Sequence, residues 1–517
     1  MNLESILAAQ SDLIGALRKF AAGELDPAGM KPFGAPFGVY QQRDGKFMNR
    51  IRMPGGEIPV EKLTFLDGLV KESGAEYVHV TTRQDLQLHG VSPLASIGVI
   101  RSCTANGLPF RGGGGDTFRN ISITVGSGVA PDGSFDLAPY ARYLTETIFD
   151  WEPAFHLPRK IKIGMATAED RSLALRQDLG FIAVAGADGN PGFEVYGAGG
   201  FGRESTAGIR LFDFLPAGHI AAAARAMVDL FSDHGDRQNR GKARVRFIRK
   251  RMGDEEFARL YHEYYAKLDP ESYPPLPEIG RDWPLAAKRK EFGTVPEPDD
   301  PEYRRWREIA VRPTRFGADT AQVTLFLPRG VMSPEEFTQV VDLVKAFGVP
   351  AIRLTFEQNF VLPVLSATAL PHLYRKLREL PFDLTFRSFA GQLDCCIGAT
   401  VCKAGVLDAP KYGQHVAEAL DRYFAEHPEE RAKKAAKLIE LLHFSGCPNS
   451  CTSHEATLFG FQGCKKTFDG TLTDCFTLWR NQEFPASPLG SATGEVIPGS
   501  RLGERVVELL KEEKFLG

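Results

Sequence analysis

Four cysteines near the end of the chain carry the clearest chemical signal. Cys396 and Cys402 have five residues between them, and Cys447 and Cys451 have three. Four thiolates are enough to close a metal or cluster site. Zinc sites commonly use cysteine pairs two to four residues apart, and single-cluster ferredoxins use tighter C-x2-C runs, so this spacing fits neither class. The alternative is a set of buried thiols, because unmodified cysteine packs as a small hydrophobic residue.

Cationic residues form the second group. The alternation of a strand would place Lys160 and Lys162 on the same face, about 7 Å apart. Two ammonium groups so placed indicate either a solvated edge strand or a bound anion. Residues 237–251 contain eight cations in fifteen positions. That run fits a solvated face, a nucleic-acid patch or a cradle for a polyanionic ligand.

Two glycine-rich stretches could bring the backbone close to a ligand. Residues 112–115 are all glycine, which is typical either of a flexible loop or of backbone that contacts a flat ligand. Residues 197–202 read G-x-G-x-x-G, but no evident helix follows, so the phosphate-binding helix of a dinucleotide site is missing. We therefore expect no bound NAD(P)H or flavin and an external source of electrons.

Length and composition describe an ordinary globular chain. Its 517 residues predict about three domains. The net charge of -3 argues against a nucleic-acid partner. The start of the chain has no basic signal region, and no apolar run reaches the roughly 18 residues of a membrane span. Eight cysteines spread over this length do not suggest a disulfide framework, so we expect a cytoplasmic protein with no membrane partner.

An internal repeat organises the chain. With a shift of 274 positions, Phe47–Leu88 aligns with Ala321–Leu362 without a gap and with eleven identities in 42 residues. The identical pairs are Pro54/Pro328, Gly56/Gly330, Glu61/Glu335, Thr64/Thr338, Leu69/Leu343, Val70/Val344, Lys71/Lys345, Gly74/Gly348, Thr81/Thr355, Gln84/Gln358 and Leu88/Leu362. Each copy reads as strand, turn, helix, strand, turn and strand. One such unit cannot bury both faces of its sheet, so we expect the two copies to pair about a pseudo-twofold axis.

The two copies differ at a position that could bind an anion. Arg83 in the first copy aligns with Glu357 in the second. A basic and an acidic version of the same loop indicate either a specialised anion-binding loop or simply two surface residues.

Other elements surround these groups. Helices are predicted over residues 1–30, 219–232, 411–426, 429–444 and 501–515. Gly446 is expected to end the fourth of these helices just before Cys447. Residues 268–303 are rich in proline and charge and predict a linker, and a short β region begins at Gly460.

Several stretches resemble the sirohaem-dependent sulfite and nitrite reductases, in family order and over roughly residues 35–480. Residues 446–451 read G-C-P-N-S-C, where the family reads G-C-P-N-x-C. The other stretches are 52–56, 82–90, 119–120, 157–162 and 239–244. The duplicated half-domain is also a family trait.

The resemblance implies two cofactors. Cys396, Cys402, Cys447 and Cys451 would hold a [4Fe–4S] cluster, and Cys451 would also reach the sirohaem iron. Sirohaem is edged by carboxylates, so it needs cations and hydrogen-bond donors around it. The residues assigned to cofactor binding are Arg52, Gln84, Gln87, Arg159, Asn239, Arg240, Lys242, Arg244 and Asn449.

The resemblance also implies a reaction. Arg83, Arg119, Lys160 and Lys162 match the anion-binding quartet of the family. Four cations would hold a small oxyanion, and crowded lysines, whose pKa shifts readily, would deliver protons where arginine would not. The implied activity is the six-electron reduction of sulfite to sulfide at a sirohaem coupled to the cluster. The expected electron donor is ferredoxin or a separate flavoprotein reductase.

Lys162 bears on the choice of substrate. Nitrite reductases of the family commonly have asparagine at this position, so the lysine favours sulfite. Residues 396–403 lack the proline-containing loop of many assimilatory sulfite reductases, which keeps ferredoxin-dependent reduction of nitrite to ammonia as the alternative. A non-catalytic iron–sulfur electron-transfer protein is a remoter alternative, and a zinc-stabilised basic binding module is a third.

The implied fold class is α+β, with duplicated ferredoxin-like half-domains paired by pseudo-twofold symmetry and two α/β domains that bind sirohaem and the cluster. The predicted division is an N-terminal helical arm (1–30), a first half-domain (31–100), a substrate and sirohaem domain (101–267), a linker (268–310), a second half-domain (311–370) and a cluster domain (371–517).

Four further residues receive assignments of their own. Tyr40 could be the tyrosine of the Tyr–Cys crosslink that some family members carry, but no cysteine lies near Arg119 in the sequence, so no crosslink is expected. Cys395 is assigned to packing. Cys464 and Cys475 are expected to be buried free thiols.

Overall fold

The structure, a computed structural model, describes residues 3–108, 110–132, 134–277, 279–280, 282–468 and 470–517. Residues 1 and 2 of the predicted arm, 109 and 133 of the predicted sirohaem domain, 278 and 281 of the predicted linker and 469 of the predicted cluster domain lie outside the described residues. The chain divides into two compact units. Unit 1 comprises Met1–Val78, Arg83–Gly200 and Thr206–Ala286, and unit 2 comprises His79–Thr82, Phe201–Ser205 and Ala287–Gly517.

Helices and strands alternate through unit 1. The helices that begin in it are α1 (Leu3–Ala21), α2 (Pro27–Gly34), α3 (Val60–Ser73), α4 (Pro93–Ala105), α5 (Ala138–Ile148), α6 (Arg171–Leu175), α7 (Ile220–His234), α8 (Val245–Met252) and α9 (Asp254–Ala266). The strands are β1 (Val39–Gln41), β2 (Phe47–Ile51), β3 (Glu57–Pro59), β4 (Tyr77–Val80), β5 (Leu86–Val91), β6 (Ser122–Ile123), β7 (Ile163–Ala166), β8 (Leu179–Ala185), β9 (Pro191–Gly197) and β10 (Ile209–Pro216).

Two sheets organise unit 1. One contains the neighbouring strands β1-β2-β5-β4. The other has the order β10-β9-β8-β7-β6, parallel from β6 to β8 and antiparallel from β8 to β10. Strand β8 is an almost continuous apolar run because the hydrophobic core covers it, with Phe181, Phe193 and Met227 fully buried together.

Unit 2 repeats this mixture of elements. Its helices are α10 (Pro301–Ala310), α11 (Pro334–Ala346), α12 (Leu370–Glu379), α13 (Ala409–Glu426), α14 (Pro428–Leu441) and α15 (Leu502–Glu512). Its strands are β11 (Val311–Pro313), β12 (Thr320–Leu325), β13 (Val331–Met332), β14 (Ala351–Leu354), β15 (Phe360–Ser366), β16 (Asp394–Cys395), β17 (Leu442–Ser445), β18 (Phe459–Phe468), β19 (Thr471–Arg480) and β20 (Ser491–Pro498).

The repeat predicted from the sequence is also present in the structure. The order β12-β15-β14 in unit 2 matches β2-β5-β4 in unit 1, and helix α11 corresponds to α3 at the shift of 274 residues. The α+β class and the duplicated ferredoxin-like half-domains are therefore confirmed.

The identities of the repeat mark a shared turn. Gln84 and Gln358 both have positive φ, 58° and 65°. A Cβ on Gly56 would lie 2.8 Å from the Gln84 side chain, and a Cβ on Gly330 would lie 2.6 Å from that of Gln358. Glycine is required at both positions because the glutamine packs directly against the backbone of the turn.

A second duplication is visible only in the structure. The sheet β16-β17-β18-β19-β20 is parallel over its first three strands and antiparallel over its last three. The sheet β6-β7-β8-β9-β10 has the same order and the same directions. Each unit therefore combines a ferredoxin-like half-domain with a mixed five-stranded sheet.

Three details differ from the predictions, and the first is that the helix predicted over residues 1–30 is divided into α1 and α2. The helix predicted over 429–444 ends at Leu441, and strand β17 separates it from Gly446, so Gly446 does not cap it. Helix α10 lies inside the predicted linker. Within unit 1 the linker is anchored by Trp283, which is buried and donates to Glu57 Oε2 at 2.9 Å. Within the part of the chain that the structure describes, no helix has the length and apolarity to cross a membrane.

Candidate functional site

The four predicted cluster cysteines follow two neighbouring parallel strands of unit 2. Strands β16 and β17 pair with Cys395 opposite Phe444, and Cys396 and Cys447 come within two residues of their ends. The carboxyl ends of adjacent parallel strands meet at the same edge of a sheet. Both cysteine pairs therefore start from one edge.

Gly446 joins the two cysteine segments. Its carbonyl oxygen accepts hydrogen bonds from the N–H groups of Val406 and Leu407, at 3.1 and 2.9 Å. A Cβ at this position would lie 2.5 Å from the Leu407 carbonyl oxygen. The glycine of G-C-P-N-S-C is thus needed to dock the loop that carries Cys402.

Burial and hydrogen bonding change the pKa of the cysteine thiols in opposite directions. Burial raises the pKa of Cys396 and of Cys447, and the neighbouring Cys451 raises the pKa of Cys396 further. The Gly446 N–H donates to Cys396 Sγ at 3.1 Å, and the backbone and side-chain N–H groups of Asn449 lower the pKa of Cys447. N–H donors aimed at sulfur are the environment of cluster thiolates, whose protons the metal replaces.

The thiols are not arranged around one point. Among the described residues, no group of three or more His, Cys, Asp or Glu side chains is close enough to hold a single metal ion. A tetrahedral zinc site would require such convergence, whereas a cubane binds each thiolate at a separate corner. A donor set of four cysteines, two of which have N–H groups directed at their sulfur, fits a [4Fe–4S] cluster.

A short backbone segment of unit 1, residues 160–163, contains two residues of the predicted anion-binding quartet and is hydrogen-bonded to the other two. The Arg119 N–H donates to the Ile161 carbonyl oxygen at 2.9 Å, and Arg83 Nη2 donates to the Ile163 carbonyl oxygen at 2.7 Å. Lys160 and Lys162 are partly exposed on either side of the fully buried Ile161. The alternation is as predicted, but Ile161 forms an isolated bridge with Phe118 and strand β7 starts only at Ile163.

Burial makes the charged form of both arginines of the quartet less favourable. Burial lowers the pKa of Arg83 to about 9 and that of Arg119 to about 10. The positive charge of Arg119 also lowers the pKa of Arg83. A small anion beside these groups would relieve both effects, because opposite charge favours the protonated form.

The tetraglycine segment, residues 112–115, is a packed support and not a loose loop. Arg119 Nη1 donates to the Gly114 carbonyl oxygen at 2.9 Å and Nη2 to that of Gly115 at 2.8 Å. The Gly115 N–H donates to the Tyr40 hydroxyl at 2.9 Å. A Cβ on Gly114 would lie 2.1 Å from the Ala35 carbonyl oxygen and 2.4 Å from the Tyr40 hydroxyl. The segment therefore fixes the guanidinium of Arg119.

Arg52 is the predicted cofactor residue with the clearest need for an anion. Its side chain is 7% exposed, and its guanidinium lies 3.8 Å from the centre of the Phe118 ring. Among the described residues, Arg52 Nε and Nη1 have no hydrogen-bond partner. Burial lowers its pKa to about 9. A buried guanidinium group with unused N–H donors is suited to bind a carboxylate, and sirohaem carries carboxylates at its edge.

Three other predicted cofactor cations are already ion-paired within unit 1. Arg159 and Arg240 both bind Asp116, at 3.1 and 2.8 Å. Arg244 binds Asp178 at 2.7 Å in a buried pair. A bound carboxylate would have to share or displace these acidic partners.

The remaining predicted cofactor residues differ in their surroundings. Gln84 is fully buried, and its amide exchanges two 2.9 Å hydrogen bonds with the backbone of Ile123. Gln87 is buried and contacts His89 Nε2 through its Oε1. Asn239 and Lys242 are exposed, and Asn239 Oδ1 accepts from the Gly241 N–H. Gln84 therefore shapes the loop of Arg83 from behind.

Sequence reasoning missed Asp116 and Asp178, which balance the cations, and Asn120. Asn120 Nδ2 donates to the Met53, Arg83 and Gln84 carbonyl oxygens at 2.7, 3.2 and 3.1 Å. The available signals were the position of Asp116 between the glycines and Arg119 and the presence of Asn120 in the family-like stretch 119–120.

The four cysteines that are not predicted cluster ligands form no disulfide; they are Cys103, Cys395, Cys464 and Cys475. Cys395 is buried, as expected for a packing role. Cys475 is buried as predicted, but Cys464, its partner in the register of β18 and β19, is partly exposed.

Two protein-family models match the chain. The nitrite and sulphite reductase 4Fe-4S domain matches residues 114–268. The nitrite/sulfite reductase ferredoxin-like half domain matches residues 40–95 and 317–380. Together the matched residues make up just over half of the chain. The segment matched by the first model contains none of the eight cysteines, so the assignment of Cys396, Cys402, Cys447 and Cys451 stays a prediction.

Relatives of both kinds are similar over most of the chain. The ferredoxin–nitrite reductase of Synechococcus elongatus is 28% identical over 83% of this chain and 78% of its own length. The sulfite reductase [NADPH] hemoprotein beta-component of Acidithiobacillus ferrooxidans is 26% identical over 81% and 74%. The sulfite reductase [ferredoxin] of Mycobacterium tuberculosis strain H37Rv is 24% identical over 81% and 70%.

A solved structure shares the fold. The Mycobacterium tuberculosis NirA protein superposes with a TM-score of 0.74 at 20% identity, covering 97% of this chain and 93% of that chain. The duplicated half-domains, the two family models and these relatives agree with one another. The chain is an oxidoreductase that belongs to the sirohaem- and [4Fe–4S]-dependent sulfite and nitrite reductase family.

Proposed function

We propose that this chain reduces sulfite to sulfide in a six-electron reaction. The observation that carries the proposal is the attachment of the Arg83 side chain and of the Arg119 backbone N–H to the carbonyl oxygens of Ile163 and Ile161, the two residues that flank Lys162 in the chain. Sirohaem and the [4Fe–4S] cluster, when bound, would pass on the electrons of an external donor one at a time and would provide the iron at which the anion is reduced. All other steps fall to the side chains of this chain.

Arg83 and Arg119 bind and orient the oxyanion. Both are held by backbone carbonyl oxygens, so little conformational entropy is lost when the anion binds. Lys160 and Lys162 donate protons to the oxygens that leave as water, because an ammonium group gives up its proton far more readily than a guanidinium group, which does not exchange its proton at neutral pH.

The cofactor-binding residues are part of the proposal. Cys396, Cys402, Cys447 and Cys451 would bind the cluster, with Asn449 stabilising Cys447. Arg52 would bind a carboxylate of sirohaem, and Arg159, Arg240, Lys242 and Arg244 would contribute cations. The division into an arm, two half-domains, a linker and two cofactor domains belongs to the same proposal.

Nitrite is the second candidate substrate, because a ferredoxin–nitrite reductase is 28% identical to the chain. Ferredoxin is the proposed donor, since the names of relatives of both kinds specify it. A flavoprotein reductase is the alternative donor, in line with the NADPH-linked relative. Eight cysteines without a disulfide support a reducing, cytoplasmic setting.

Turnover driven by reduced methyl viologen tests the proposal. Anaerobically purified holoenzyme is supplied with sulfite or with nitrite, and sulfide and ammonia are assayed. We expect both to be reduced, with a higher kcat/KM for sulfite. A higher kcat/KM for nitrite would reverse the substrate assignment, and absence of both reactions in protein with full haem bands would refute the reductase proposal.

A further inference from the structure

The loop Phe201–Ser205 ends the G-x-G-x-x-G segment and groups with the cysteines in unit 2, although strands β9 and β10 on either side of it belong to unit 1. Ser205 closes this loop by accepting the Gly202 N–H at 3.0 Å. The Ser205 hydroxyl has a single hydrogen to donate. Its shortest contact is to Glu455 Oε1, at 2.6 Å, so the hydroxyl donates to that carboxylate.

Glu455 joins this loop to the turn between two cluster cysteines. Its second oxygen, Oε2, accepts a short hydrogen bond from the Ser450 hydroxyl. The Glu455 side chain is 1% exposed and Ser450 is 3% exposed. A buried carboxylate needs such donors, because its charge is otherwise poorly solvated. Both carboxylate oxygens are therefore used to connect residues 201–205 with residues 447–451.

Ser450 lies between Cys447 and Cys451 in a conformation that needs support. Its φ is 51°, in the left-handed region that serine adopts only at a cost. The bond to Glu455 holds the side chain and hence this backbone conformation. On the other side of the carboxylate, the Ser205 hydroxyl fixes Oε1 and so keeps Oε2 at Ser450.

We propose that Glu455 is a positioning residue of the cluster site. Through Ser450 it holds the turn of Cys447 and Cys451 in the ligating conformation, and through Ser205 it is itself fixed to the loop of residues 201–205. The inference rests on the proposed function in one respect, the binding of a cluster by these two cysteines. A ligand turn that loses its support changes the hydrogen bonds and the solvent exposure of the cluster, which set its potential.

Ser450→Ala and Ser205→Ala each remove one of the two hydroxyl contacts of Glu455. Anaerobic holoenzyme is mixed with a ferrous chelator, and the cluster midpoint potential is measured by reductive titration followed by electron paramagnetic resonance. Ser450→Ala should release iron roughly tenfold faster, the effect typical of partners of metal ligands. Ser205→Ala, which removes the support of Glu455 on its other side, should release iron faster by a smaller factor and shift the potential of the cluster. The exposed Ser500→Ala is the matched control.

Wild-type rates and potentials in both alanine variants would overturn the inference while leaving the proposed function intact. Wild-type protein without iron or acid-labile sulfide would overturn the proposed function itself. If Ser450→Ala does not fold, Ser205→Ala with an unchanged potential and unchanged iron release is sufficient to refute the role of Glu455.

Discussion

The guanidinium of Arg83 donates a 2.7 Å hydrogen bond to the carbonyl oxygen of Ile163, the residue that follows Lys162. Arg83 Nη1 also donates to Gln177 Oε1 at 3.0 Å. An arginine from the first half-domain is thereby fixed to the segment that carries the lysines. Two of the four predicted cations are therefore attached to the segment that carries the other two, so we expect a change in one to alter anion binding and not only charge.

Replacing Lys162 by asparagine should damage sulfite reduction more than nitrite reduction. Asparagine cannot donate a proton from a cationic group, and loss of a general acid lowers kcat by about 10²-fold or more. Sulfite has one more oxygen to remove as water than nitrite. Steady-state kcat and KM for both anions give the comparison, with the exposed Lys466→Asn as control. Equal losses for both anions would contradict the assignment of Lys162.

Replacing Cys451 by serine should remove both cofactors from the purified protein. The thiolate is proposed as a ligand of the cluster and as the contact to the sirohaem iron, and a serine hydroxyl is a poor ligand for either. Iron, acid-labile sulfide and the haem absorption bands are measured after anaerobic purification. Cys464→Ser, in strand β18, is the control and should retain all three. Retention of full haem content by Cys451→Ser would remove this residue as the bridge.

Replacing Gly114 by alanine should weaken anion binding through Arg119. The added methyl group would lie 2.1 Å from the Ala35 carbonyl oxygen, so the support of the guanidinium must shift. Such overpacking costs about 1–3 kcal/mol. Thermal unfolding and the KM for sulfite report the two consequences. Gly218→Ala, where no atom lies within 4 Å of the added methyl group, is the matched control, and equal behaviour of the two variants would contradict the role of the glycine segment.

Anion affinity should depend on pH in the alkaline range. Burial lowers the pKa of Arg83 to about 9 and that of Arg119 to about 10. A base with a lowered pKa is charged below that pH and loses its charge above it. Sulfate affinity should therefore be constant near neutral pH and fall above about pH 9, because anion binding is linked to proton binding. Calorimetric titration with sulfate measures it, and a constant affinity up to about pH 10.5 would refute the argument.

The first duplication could be predicted from the sequence because identical residues of the two copies include glycines that the backbone of the shared turn requires. Gly56 and Gly330 are retained since the glutamine opposite each allows no Cβ. The second duplication, in the two mixed sheets, left no comparable signal. Its strands need only apolar residues at buried positions, and many sequences satisfy that requirement.

The end of helix α14 shows why local signals mislead. Gly446 follows a helical pattern and has the composition of a helix stop. In the structure, glycine is required at position 446 because a Cβ would lie too close to the carbonyl oxygen of Leu407, on the loop that carries Cys402. Tertiary contact, and not helix capping, decides the residue.

The sequence by itself determined the family traits, namely the four cysteine positions, the quartet of cations and the ferredoxin-like repeat, because these depend on residue type and spacing along the chain. Only the tertiary structure decided which groups support them. Asp116, Asp178 and Asn120 bind residues that are far away in sequence, through hydrogen bonds and ion pairs, and Glu455 connects nearby Ser450 with distant Ser205. Such partners are chosen by three-dimensional proximity in a low-dielectric interior, where a buried charge needs a counter-charge or hydrogen-bond donors wherever the fold can bring them.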